Sequence, residues 1–69
     1  MTDLNAALLA AHEVNDKAAL VELYTRAADA ADDTDASCFF LTHAYVFALE
    51  LGHPQAPQLH DRLAQHGRV

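Results

Sequence analysis

A chain of 69 residues makes one domain, residues 1–69, and a domain this small is marginal unless disulfides, a metal or a partner chain helps it. Its single cysteine, Cys38, excludes an internal disulfide and points to a reducing, cytoplasmic setting. The net charge of −6 comes from 10 acidic and 4 basic residues, and Lys17, Arg26, Arg62 and Arg68 are scattered, which argues against nucleic acid and against an anionic membrane surface as partners.

Alanine is abundant, β-branched residues are few, and nothing alternates with period two for long. The chain is expected to be all-α. A first helix is predicted from Leu4 to about Val14. Thr2 or Asp3 serves as its cap, because both side chains accept from free backbone N–H groups of a first turn. Leu4, Ala7, Leu8 and Ala11 fall on one face. Asn15-Asp16 then breaks the helix, since both side chains bond nearby backbone groups. Met1-Thr2-Asp3 lacks the positive stretch that opens a secretory signal.

A second helix is predicted from an N-cap at Asp16 to about Ala31. Leu20, Leu23, Tyr24, Ala27 and Ala31 form its apolar stripe. Glu22 and Arg26 stand four residues apart as a favourable pair. The acidic stretch from Asp29 to Asp35 ends this helix, because negative charge opposes the dipole at a C-terminus. The same charge favours the start of the next helix, for which Thr34 or Asp35 is the expected N-cap.

The third helix, from Ala36 to Leu51, is apolar all the way round. It holds all three Phe and one of the two Tyr. A helix with no polar face has to be buried on every side, and little other chain is present to do so. Its roughly 24 Å length is short for a membrane span, and His43 and Glu50 weaken that reading further. Gly52 is the expected left-handed residue after it, and Pro54 the stop. A short fourth helix follows with Pro57 at its first position, where a missing N–H costs nothing, or else starts at His53. Leu59 and Leu63 form its apolar edge, and Gly67 its end. The expected architecture is thus four helices in two antiparallel hairpins, 1–33 and 34–69, arranged as a tandem repeat or a small bundle.

The first hairpin, mainly residues 4–33, resembles a tetratricopeptide repeat, a helix–turn–helix unit of about 34 residues. Asn15-Asp16 stands at the inter-helix turn. Leu20, Tyr24 and Ala27 match the small-and-aromatic pattern of the second helix. Leu4, Ala7, Leu8 and Ala11 depart from the Trp, Leu, Gly and Tyr of the first. The resemblance implies protein or peptide binding rather than catalysis.

No residues are singled out as catalytic, as metal ligands or as cofactor ligands. The five histidines include no pair at the helical spacing of a metal site, and no HExxH motif occurs. The aspartates near residue 32 lack the glycine and glutamate of a calcium loop. Cys38 is expected to be a buried, inert thiol. The residues that stand out lie on the third helix. Phe39, His43, Val46 and Glu50 define one stripe, and Tyr45 and Leu49 lie beside it. These six are the expected interaction surface. Phe40, Phe47 and Leu51 are expected to face inward against Leu20, Leu23 and Tyr24, and because both stripes are apolar the reverse assignment stays open. The function this supports is protein–protein interaction, with a second copy as the first partner and a homodimer as the simplest closed form. A competing expectation is a small-molecule site, or a minor enzyme, with a pocket near His43, Tyr45 and Glu50.

Overall fold

The computed structural model describes residues 3–69, and within them the chain forms four α-helices. They are α1 (Leu4–Glu13), α2 (Lys17–Ala30), α3 (Thr34–Leu51) and α4 (Ala56–Gln65). No strand occurs among the described residues.

The boundaries follow from local chemistry. The Asp3 carboxylate accepts from the backbone N–H of Asn5 and caps α1. Thr2, the other expected cap, lies outside the described residues. Asn15 takes a left-handed φ of 54° in the turn, and Asp16 caps α2 by accepting from Ala19. The N-cap of α3 corrects the expectation. It is Asp33, whose carboxylate accepts from the Ala36 N–H at 2.8 Å. Asp33 has the extended backbone that a cap needs, whereas Thr34 and Asp35 already lie within the first turn. Gly52 ends α3 at φ 63°, in the left-handed region that glycine enters without strain. α4 begins at Ala56 rather than at His53, which places Pro57 at its second position. There too a missing N–H is harmless, because the first four N–H groups of a helix have no intrahelical partner. His53 instead closes the connecting turn, its Nδ1 accepting from the Gln55 N–H.

Backbones approach closely between chain neighbours, and the most extensive interface joins α2 to α3. These two helices run in opposite directions. Lys17 at the start of α2 pairs with Glu50 near the end of α3, and the Ser37 hydroxyl donates to the Ala28 carbonyl at the other end. α4 also runs against α3, with Tyr45 beside His60 and Asp35 holding Arg68 just beyond α4.

The main core cluster draws on three helices: Val21 and Ala28 from α2, Cys38, Leu41, Ala44 and Ala48 from α3, and Leu59 and Leu63 from α4; Leu20 and Ala27 of α2 are buried as well, Leu20 as expected. Ala44 and Ala48 let neighbouring backbones come close, and the leucines fill the space between them. This differs from the expected inward face of α3. Phe40 and Phe47 pack against the cluster but are only half-buried, as is Leu23. Leu51 is 45% exposed, because it lies at the last residue of α3, beyond the reach of α4. α1 is peripheral. Ala11 is its one buried residue, while Leu4, Ala7 and Leu8 are half-buried. The Cα frame measures 31 × 28 × 15 Å.

Candidate functional site

The open side of α3 is the feature this fold leaves unexplained. With Leu41, Ala44 and Ala48 turned to the core, the helical period puts Phe39, Thr42, Val46 and Glu50 on the opposite side, flanked by His43 and Leu49. Phe39 is 59% exposed, Val46 46% and Leu49 55%. Three large apolar side chains on one helix face, with no other helix over them, form a continuous apolar strip.

Aromatic stacking shapes the edge of this strip. His43 donates from Nδ1 to the Phe39 carbonyl at 2.9 Å; a carbonyl can only accept, so the proton sits on Nδ1. That bond fixes the imidazole against two rings. Its centroid lies 4.5 Å from that of Phe39 and 5.0 Å from that of Tyr24. Tyr24, from α2, also lies near Phe40 and Phe47, and its hydroxyl is 2.9 Å from His12 Nε2 on α1. One tyrosine thereby links three helices. Beside it, Thr42, His43, Val46 and Phe47 enclose an open, almost wholly apolar hollow of about 250 Å3.

The expected site residues do not converge on one pocket. His43 lines the hollow just described. Tyr45 lies on the other flank, in a separate open groove of about 340 Å3 with Leu49, Pro57, His60 and Asp61. Glu50 lines neither and holds Lys17 Nζ at 2.9 Å. The acid–base pairing of His43 with Glu50 is therefore not assembled. Three hydroxyls are likewise committed. Thr25 donates to Val21, Ser37 to Ala28 and Thr42 to Cys38, each to a backbone carbonyl. Cys38 is buried. Among the described residues, no three His, Cys, Asp or Glu side chains are placed to hold a metal ion.

The charge pattern isolates the strip further. All four basic residues hold a carboxylate: Lys17 with Glu50, Arg26 with Glu22, Arg62 with Asp29 and Arg68 with Asp35. The hydrogen bond from Asp35 raises the Arg68 guanidinium above its already high ordinary value, so it stays charged at any physiological pH. The unbalanced negative charge lies elsewhere, on residues such as Asp3, Glu13, Asp32 and Asp61. The outward stripe of α3 carries two carboxylates, Asp35 at its start and Glu50 near its end, and Arg68 and Lys17 respectively neutralise them.

Sequence reasoning did not find the His12–Tyr24 hydrogen bond, the stacking of His43 on Tyr24 or the hollow. One signal was present. Tyr24 is the lone aromatic of α2, set in the stripe that faces the aromatic-rich α3.

No family model matches the chain, and no curated protein or solved structure is similar enough to count as a match. The likeness of residues 4–33 to a tetratricopeptide repeat thus rests on the few residues quoted for it and on the helix–turn–helix order.

Proposed function

We propose that the protein is a small helical interaction module that associates with a second copy of itself through the outward face of α3. The observation that carries this reading is the exposure of Phe39, Val46 and Leu49 on one uncovered helix face. Contiguous apolar surface on a small protein marks a place where another surface belongs. The site chemistry supports binding over catalysis: the Thr25, Ser37 and Thr42 hydroxyls are bonded to backbone carbonyls, the thiol is buried, and His43 and Glu50 are not paired. A reducing, cytoplasmic setting suits a lone buried thiol. No helix among the described residues is long and apolar enough to cross a membrane.

The test is molar mass by light scattering over a micromolar concentration series. The expected result is a dimer that Val46→Glu converts to a folded monomer, because a carboxylate there would have to be desolvated at the interface. A monomeric wild-type chain across the whole series overturns the proposal.

A further inference from the structure

We infer that the two copies join by a reciprocal insertion, the Phe39 ring of each entering the hollow formed by Thr42, His43, Val46 and Phe47 of the other. This rests on the self-association proposed above and specifies its geometry. Three observations support it.

The hollow fits the ring. It is about 250 Å3 in volume and almost entirely apolar. A cavity of about 150 Å3 lined by apolar side chains already accepts benzene. Phe39 is the most exposed aromatic ring of the chain's apolar strip, and it stands on the same face as the hollow.

The spacing fits a two-fold axis. Phe39 lies about 8 Å along α3 from the middle of the hollow, at 1.5 Å per residue. An axis perpendicular to α3 near Thr42 exchanges the two positions, so that both rings find a hollow at once. The two α3 helices then cross antiparallel. A parallel pairing in register would set Phe39 on Phe39 and leave both hollows empty. The exchange is isologous and closes at two copies, as a two-fold interface must.

The charge fits a second copy of this chain rather than a basic partner. Two molecules of net charge −6 repel each other overall. The face that must meet its own image carries two carboxylates, Asp35 and Glu50, and each is held by a basic side chain of its own chain, Arg68 and Lys17. Its other members, Phe39, Thr42, His43, Val46 and Leu49, bring no fixed charge. A partner recognised through basic side chains would instead be drawn to the acidic α2–α3 turn at Asp32 and Asp33, beyond the start of this strip.

The experiment is a complementation between two variants. Phe39→Ala removes the knob and keeps the hollow. Val46→Trp fills the hollow and keeps the knob, since side chains on a helix lean back toward its N-terminus, over Thr42 and His43. Each variant alone is expected to weaken self-association by about tenfold or more, the loss typical of an interface anchor. Mixed together, they retain one knob and one open hollow, and a heterodimer tighter than either homodimer is expected. Sedimentation with one partner fluorescently labelled reads this directly. Both substituted residues are exposed, and circular dichroism checks that each variant stays helical. Should Val46→Trp fail to fold, Val46→Phe fills the same hollow with a smaller ring. A dimeric wild type whose affinity is unchanged by either variant overturns the insertion while leaving self-association standing. So does a pair of weakened variants with no gain on mixing. Mass growing beyond two copies overturns the closed two-fold arrangement. A wild type that stays monomeric overturns both readings.

Discussion

The imidazole of His43 lies over the phenol ring of Tyr24, with centroids 5.0 Å apart and planes 28° from parallel. The two residues come from different helices, α3 and α2, and neither is fully buried. This contact extends the α2–α3 interface from the core outward to the edge of the exposed strip. It couples the shape of the candidate surface to the packing beneath it.

Tyr24 should therefore matter more than its half-buried state suggests. Tyr24→Phe removes only the hydroxyl bonded to His12 and is expected to cost about 0.5–1.5 kcal/mol, near the lower end because His12 is exposed. Tyr24→Ala removes the ring that meets His43, Phe40 and Phe47, at a cost of about 2–4 kcal/mol. Urea unfolding of the three proteins separates these values. Equal destabilisation by both substitutions would assign the whole effect to the hydrogen bond.

Leu41 and Leu63 belong to the core and are among its largest fully buried side chains. Replacing either by Ala is expected to cost about 2–5 kcal/mol. In a domain of this size that approaches the whole stability, so both variants should be largely unfolded at 37 °C. Phe47→Ala should cost less than Leu63→Ala, because Phe47 is half-buried. Thermal melts followed at 222 nm check the order, and a reversed order would contradict the packing described above.

The start of α3 offers a sharper test of local structure. Asp33→Ala deletes the side chain that accepts from Ala36 and should cost about 1 kcal/mol. Thr34→Ala should change stability by no more than a few tenths, because Thr34 is exposed within the first turn and its side chain caps nothing. Chemical denaturation of the pair decides between the two positions.

Stability should not depend on a bound metal ion. The ligand types that would hold one are not gathered in threes among the described residues. Dialysis against a chelator is expected to leave the melting temperature unchanged. A fall of more than a few degrees would show a site built from more than one chain.

Local chemistry made the helices legible in advance. Capping bonds reach two or three residues, as from Asp3 to Asn5 and from Asp16 to Ala19, and the left-handed turn at Gly52 requires only its own backbone. Signals of that range are written in consecutive letters. The expected caps of α3, Thr34 and Asp35, lie one and two residues past the actual one, because Asp33, Thr34 and Asp35 all have capping side chains and the extended backbone that selects Asp33 is not a property of residue type.

The facing of α3 is of another kind. Its apolar residues run round the whole helix, so no periodic contrast marks an inner side. That Phe39, Val46 and Leu49 point outward was among the readings the letters allowed, but the letters did not exclude the reverse. Packing decided it. α2 and α4 close on the stripe where Ala44 and Ala48 permit near approach of backbones, and Cys38 and Leu41 fill the remainder. The bulky rings were displaced to the flanks, where Phe40 and Phe47 meet Tyr24 and where Tyr45 meets His60. Glu50 was drawn from His43 to Lys17 because antiparallel packing brings the start of α2 to the end of α3. The sequence by itself thus determined the helices, most of their ends and the excess of apolar surface on one of them. Which part of that surface became core and which stayed open depended on contacts between residues distant in the chain, and only the tertiary structure holds those.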